Sequence, residues 1–388
     1  MRTSTSKAIW KLWLAALLLF LPLFSSAQDT APSQAMALEQ QGKLDEAARA
    51  WTAVTRTNPH DAAAFASLGV VLSKQQKFPE AASAYRKALA LDPQLPGISL
   101  NLGLCEFKQG HFSAATAPLK SALAADPSST QARTVLGLSY YGAKQFALAV
   151  EYLEPVAAAD PTNSALHKTL AQSCLLAKKY ACAEEEFRKI LEQDPNSVEA
   201  HVLTGEALDG LGKTTEAIAE FENAAKISPK EPNLHFGLGY LYWKSQRYDD
   251  AKREFNQELS LDPNHAQALG YLGDIAWKDN KPNEAVALFQ RALRSNHDLR
   301  IVYADLGAIY MQQKNYKEAQ PVLLRAVELD PTRPDAHYQL GRLYQAIGNK
   351  QGAEDELRKV RALHEKADES LAGTMPSSTS AVSEPKDK

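Results

Sequence analysis

The sequence predicts an all-α solenoid of about ten helix-turn-helix repeats. Three observations predict it. A helix-ending Asp-Pro or a near relative recurs at Asn58-Pro59, Asp92-Pro93, Asp126-Pro127, Asp160-Pro161, Asp194-Pro195, Ser228-Pro229, Asp262-Pro263 and Asp330-Pro331, in steps of 34 residues, with Asn296-His297 filling the one position that lacks proline. Small residues keep the same register. Glycine recurs from Gly69 and Gly103 through Gly307 and Gly341, and alanine from Ala47 and Ala81 through Ala319 and Ala353. Each period also holds two stretches of helical length joined by a short polar turn. A fixed period of this size marks stacked units of one design.

In chain order, residues 1–27 stand apart from the array. Arg2, Lys7 and Lys11 precede an apolar run from Leu12 to Phe24, and Ser25-Ser26-Ala27 offers small residues for a cut after Ala27. This is the layout of a secretory signal peptide, so the protein is expected to be exported, periplasmic or in the cell envelope. Membrane attachment is expected only if that segment is retained. The solenoid then occupies 28–367, with repeats starting at 28, 62, 96, 130, 164, 198, 232, 266, 300 and 334. In the repeat from residue 62, Asp61 caps the first helix. Pro79 suits the first position of the second. Asp92, forced out of helical geometry by Pro93, ends it. Pro96, Pro232 and Pro334 are expected to open first helices in the same way. Pro118 and Pro155 fall inside second helices and should kink them. The last second helix continues as a polar cap, and the segment from 368 to 388 ends that helix and passes into a tail expected to be disordered.

Glycine inside a helix costs about 1 kcal/mol against alanine. A cost taken so often at one position implies a close approach between the two helices of each repeat.

The pattern Tyr303, Leu306-Gly307, Tyr310, Tyr316, Ala319, Ala326, Pro331 resembles the tetratricopeptide repeat. The resemblance covers about residues 28–367. It implies a right-handed superhelix whose first helices line a concave groove, and a non-enzymatic scaffold for protein partners. Fold alone does not name the partner.

Two departures from plain packing stand out on the stripe of first-helix residues that would line such a groove. Leu100, Leu104, Phe107, Leu138 and Tyr141 form one apolar patch, with Leu175 beyond. Phe236, Tyr240, Trp243 and Trp277 form an aromatic patch, with Met311 beyond. Between them lies an acidic band of Glu199, Glu206 and Asp209. Apolar stripes on soluble proteins mark binding surfaces, and Trp and Tyr are their usual anchors. The bland alternative is that these side chains touch one another across the groove. The expected ligand is an extended or helical protein segment, basic beside apolar, in cell-envelope assembly or secretion. A polysaccharide, or a separate envelope enzyme that the chain targets, is the alternative. The Lys and Asn set by which some family members clamp a terminal carboxylate is absent: Asn101 and Lys168 match single positions of it, in units that do not line up.

Other chemistry is not expected. Removing residues 1–27 leaves 40 basic against 46 acidic residues, a poor balance for nucleic acid. No catalytic, cofactor or metal motif is present. His167, His201, His235 and His337 share one repeat position, too far apart for one metal ion, and read as half-buried substitutes for an aromatic. Of three cysteines, Cys174 and Cys182 lie on successive helices and could pair. The plainer reading of Cys105, Cys174 and Cys182 is small buried hydrophobes.

Overall fold

A computed structural model describes residues 30–374, with side chains through 366. The expected signal segment and the tail beyond 374 lie outside the described residues. Among these, every regular element is an α-helix. Contacts divide the chain into two compact units, Met1–Ser173 and Cys174–Lys388. The first unit holds α1 (Ala31–Gln40), α2 (Leu44–Thr57), α3 (Ala62–Lys74), α4 (Phe78–Leu91), α5 (Ile98–Lys108), α6 (Phe112–Ala125), α7 (Thr130–Gly142) and α8 (Phe146–Ala159). The division falls inside α9 (Ser164–Leu176). The second unit continues with α10 (Tyr180–Gln193), α11 (Val198–Gly210), α12 (Thr214–Ile227), α13 (Leu234–Lys244), α14 (Tyr248–Leu261) and α15 (Ala266–Lys278). It ends with α16 (Pro282–Ser295), α17 (Arg300–Gln312), α18 (Tyr316–Leu329), α19 (Pro334–Ala346) and α20 (Lys350–Thr374).

Each helix pair is built by local chemistry that the period repeats. The Asp61 carboxylate accepts the Ala64 amide at 2.9 Å and starts α3; Ser129, Ser197 and His265 do the same for α7, α11 and α15. At the far end of α3, Gln76 takes φ +60° and the Lys77 amide donates to the Leu72 carbonyl at 2.9 Å. That left-handed closure satisfies carbonyls the helix end would leave open. It recurs at every first helix, with glycine at Gly42, Gly110, Gly212 and Gly348, but with Gln76, Lys144, Lys178, Gln246, Asn280 and Lys314 elsewhere.

The Asp of Asp-Pro does more than end a helix. Asp92 is extended, at φ −141°, and its carboxylate accepts the amide of Gln94 at 2.9 Å. Asp126, Asp160, Asp194, Asp262 and Asp330 repeat this turn with Ser128, Thr162, Asn196, Asn264 and Thr332. Asn296 accepts the Asp298 amide at 2.9 Å, so the same turn closes where proline is missing. The Ser128, Thr162 and Thr332 hydroxyls hold the Asp126, Asp160 and Asp330 carboxyls below the usual range, with the backbone amides adding to this. Their contribution to stability is complete at neutral pH and is lost as pH falls below the ordinary carboxylate value of about 4. An Asp126→Asn, Asp160→Asn, Asp330→Asn variant keeps the turns, as Asn296 does. It should therefore lose less of its urea midpoint than the parent between pH 7 and about pH 3. Equal losses would show that these turns do not carry the acid sensitivity.

The recurrent helical glycine has the expected steric cause, with a specific obstacle. A methyl group on Gly69 would lie 2.5 Å from the Tyr85 ring, and one on Gly273 would lie 2.6 Å from Phe289. What excludes it is a large side chain from the second helix, seated on the bare backbone of the first, so glycine and ring form one packing unit. Tyr85, Leu119, Leu153, Phe255, Phe289 and Leu323 fill this role and are almost wholly buried.

One expectation about proline needs correcting. Pro96 and Pro232 do not open helices. α5 and α13 start two residues later, behind Gly97 (φ +75°) and Asn233 (φ +65°) in the left-handed region. α6 and α8 run through Pro118 and Pro155, and α18 runs through Pro321, which the sequence reading passed over.

The late start of α13 has its own solution. Glu258 of α14, 2% exposed, reaches the open end of the helix. One carboxylate oxygen accepts the Asn233 amide and the other the Phe236 amide, both at 3.1 Å. Asn233 in turn accepts from His265 at 3.0 Å. The other nine repeats carry alanine, valine or isoleucine at the position of Glu258. At α5 that position is Ala122, and the helix start borders an open cleft of about 760 Å³.

Candidate functional site

The aromatic stripe is placed by α13. Phe236, Tyr240 and Trp243 follow helical spacing and emerge on one face, half-buried. Glu258 fixes the Phe236 backbone at the helix start. Against this face stands Tyr271 of α15, which the sequence reading missed. Its ring lies 4.9 Å from Trp243, 5.7 Å from Tyr240 and 6.0 Å from Phe236, and it stacks on buried Phe255 at 5.5 Å. Burial pushes the Tyr271 hydroxyl pKa up, with Tyr240 and Asp274 adding to it. The stripe rings therefore touch a ring of the neighbouring repeat that lies off the stripe, and each gives much of its surface to another ring.

Trp277 does not join them. It packs on a separate cluster with Ala276, Phe289 and Leu306. Met311 packs further along, against Leu323 and Leu340.

What remains open is a cleft of about 450 Å³ beside Trp243. Trp243 and Tyr271 form one wall, and Leu299, Ile301 and Val302 at the start of α17 form the other. Gly270 supplies the space. Its position holds Val202 and Phe236 in the two preceding repeats, and a methyl group there would approach Val302 to 3.3 Å. Gln267, Asp274 and Asp305 add polar groups. The Trp243 indole N–H donates to Asp274 at 2.6 Å, and Lys278 pairs with the same carboxylate while standing 5.6 Å over the Trp243 ring. Burial raises the Asp305 carboxyl to about 7, and the Asp274 charge adds to this. Tyr271 and Asp305 occupy the same repeat position, which belongs neither to the core set nor to the stripe. That is why both were overlooked. Asp274 lies on the stripe, but a search for apolar residues passes over it.

The other predicted positions separate. Leu100, Leu104 and Phe107 on α5, and Leu138 and Tyr141 on α7, are half-buried. Phe107 meets Phe112 edge-on at 5.6 Å, and Tyr141 meets Phe146 at 5.9 Å while its hydroxyl donates to Gln172 at 2.9 Å. Leu100 borders the α5 cleft, and Leu104 borders another of about 380 Å³ with Phe78 and Tyr85. This patch is thus divided between two clefts. In the acidic band, Asp209 is paired with Lys244 at 2.6 Å. Burial raises the Glu206 carboxyl even though its side chain reaches solvent. Glu199 is exposed. A pairing lysine leaves this band less negative than the bare sequence implies.

The histidines are corrected from aromatic substitutes to polar bridges. In three repeats one ring nitrogen meets a glutamate nineteen residues on and the other meets the carbonyl of the repeat's proline. His201 bonds Glu220 at 2.6 Å and Pro195 at 3.0 Å. His235 bonds Glu254 at 2.8 Å and Pro229 at 2.9 Å. His337 bonds Glu356 and, at 3.0 Å, Pro331. His167 reaches the Asp160 carbonyl at 3.3 Å, and its repeat carries Glu186 at the matching position. The four repeats with histidine all have that glutamate, and the six without it have none. This internal pairing was the legible signal. Burial alone would raise the Glu356 carboxyl, but His337 and Lys359 outweigh it and hold it below the usual range.

The cysteine reading is also corrected. Cys174 and Cys182 form a disulfide, with Cα atoms 5.8 Å apart, and Cys105 is the free, buried one. No described helix is long and apolar enough to cross a membrane.

Comparison with known proteins adds the following. Family profiles described as tetratricopeptide repeat match residues 33–96 and 236–298, residues 72–138 and 140–206, and residues 335–367. A profile described as TPR repeat matches 210–246 and 307–348. No curated protein matches. Among solved structures, one of the APC/C hetero-tetramer Cut9-Hcn1 is 16% identical over 87% of this chain and 82% of that one, with a TM-score of 0.49. One of MamA MSR-1 C2 is 27% identical over 42% of this chain and 95% of that one, with a TM-score of 0.38.

Proposed function

The chain belongs to the tetratricopeptide repeat family, whose repeats serve as protein-interaction scaffolds, and from that premise we propose that it holds a segment of a partner protein in the cleft between α13, α15 and the start of α17. The observation that carries this reading is the cleft itself. It is walled by Trp243, Tyr271 and Ile301, and Gly270 keeps it open where two sibling repeats would fill it. Ile301 is 54% exposed at its edge. Covering one such side chain contributes about 1.5–3 kcal/mol, enough for several to support micromolar binding after association costs. Tyr271 meets Tyr240 and Trp243 edge to face, which favours an inserted side chain over a flat sugar ring.

The reading extends to a place of work in the cell envelope. The segment before Gln28 has the layout of an export signal, and the Cys174–Cys182 bond suits an oxidising compartment.

A photoreactive residue at Ile301, with a second at exposed Arg253 on α14 as the comparison, tests both parts in the native host. The expected result is a protein adduct from Ile301 that is absent from Arg253, is lost with Gly270→Leu, and is carried on a chain that starts at Gln28. The same adducts from both positions would overturn the cleft reading. Adducts only on a chain still carrying Met1 would overturn the cleaved-export reading.

A further inference from the structure

We propose that this cleft seats a cationic side chain of the partner, arginine or lysine, with its aliphatic stem between Trp243 and Ile301 and its charged head at the Asp305 carboxylate. The inference rests on the cleft reading above and names the chemistry of its occupant.

Four observations carry it. Asp305 lines the cleft and has no hydrogen bond or ion pair among the described residues. Both cations near it are engaged elsewhere: Lys278 pairs with Asp274, and Arg300 pairs with Asp335 at 3.0 Å. Three carboxylates thus share two cations, and the charge left over is the one that faces the cleft. A half-buried carboxylate without a partner is costly. Asp305 is also the lone acid at its repeat position, where the other repeats carry serine, asparagine, valine, threonine, leucine, glycine, tyrosine or glutamine. Packing does not ask for an acid there. Finally, the walls suit a long side chain with a charged tip. Apolar surface from Trp243, Leu299 and Ile301 takes the methylenes, and the carboxylate takes the charged tip. A metal ion is the weaker fit, since no group of three ligating side chains occurs among the described residues.

The raised carboxyl of Asp305 agrees with an unmet cation. The groups that face it are Asp274 and Asp335, which raise it further, and Lys278 and Arg300, which lower it. Binding of a cation should therefore strengthen as pH rises through about 7.

The test uses the full chain and capped peptides acetyl-Leu-X-Leu-amide, where X is arginine, lysine, citrulline or glutamate, titrated by calorimetry. Citrulline keeps the shape of arginine without its charge. The expected result is that the arginine peptide binds about tenfold tighter than the citrulline one. That preference should shrink with added salt. Asp305→Asn, which keeps shape and removes a half-buried charge, should abolish the preference while leaving the citrulline affinity unchanged. Gly270→Leu should weaken all four peptides. Equal binding of arginine and citrulline, with both lost in Gly270→Leu, overturns the cation proposal and leaves the cleft reading standing. No binding by any peptide overturns both. A preference that survives Asp305→Asn overturns the assignment to Asp305.

Discussion

Glu258→Ala should lower the urea midpoint of the second compact unit by the equivalent of about 2–4 kcal/mol and speed amide exchange at Phe236. The reason is geometric. Two amides at the start of α13 have no carbonyl to meet within the helix, and Asn233 sits in a left-handed conformation that offers no cap of its own. One buried carboxylate serves both, at 3.1 Å each. A charged acceptor at a helix start is also favoured by the helix dipole. The counter-argument comes from α5, where Ala122 occupies the same position and the helix forms beside an open cleft. Water can serve such amides if it can enter, which sets the lower end of the range. Glu258→Gln keeps an acceptor in place and should cost less than alanine. An alanine variant with an unchanged midpoint and unchanged exchange at Phe236 would show that water replaces the carboxylate without cost. Because Phe236 begins the aromatic stripe, the same variant should also loosen the Phe236 contacts with His265 and Tyr271.

Replacing Gln76, Lys144, Lys178, Gln246, Asn280 and Lys314 together by glycine should raise stability. Each of these residues holds φ between +58° and +61°, at the end of a first helix. A side chain costs about 1–2 kcal/mol in that region. Glycine removes the clash but loses about 0.5–1 kcal/mol through the freedom of the unfolded chain. Relief of the clash outweighs that loss and leaves a net gain of about 0.5–1 kcal/mol per site. Asn280 should give least, because asparagine tolerates this conformation better than glutamine or lysine. The sites are a full repeat apart, so the gains should add, to about 3–6 kcal/mol in all. Gly42, Gly110, Gly212 and Gly348 show that the turn accepts glycine. Single variants measured by denaturant midpoint should show the gain one site at a time. If Lys144→Gly and Lys314→Gly both destabilise, side-chain contacts at the turn outweigh backbone strain.

The fold was legible because its determinants are local and repeated. Asp-Pro, the buried glycine and the alanine of the second helix each act within one repeat, and ten copies make the pattern unmistakable. The turn chemistry was legible only in part. Proline caught the eye, while the Asp carboxylate that closes the turn became plain from Asn296, where proline is absent. Features that break the repeat were harder to see. Glu258 is a buried charge at an apolar position, and its purpose depends on Asn233, twenty-five residues back in sequence. Tyr271 and Asp305 sit at a position that helical spacing assigns to neither core nor stripe. Whether such a residue faces a neighbour or a cleft depends on how adjacent helices pack, which spacing within one helix does not encode. The pairing of Cys174 with Cys182 likewise depended on the distance between two helix ends.

The histidine bridges carry a consequence for how such an array can change. His201 bonds Glu220 within its own repeat, whereas the repeat with Leu269 at the matching position carries Leu288 nineteen residues on. Exchange of one member alone strands a polar group among hydrocarbon, or leaves a carboxylate facing a methyl. The two positions therefore behave as a single inherited letter written in two places. A recombination breakpoint between first and second helix can split that letter, whereas one at the Asp-Pro turn leaves it whole.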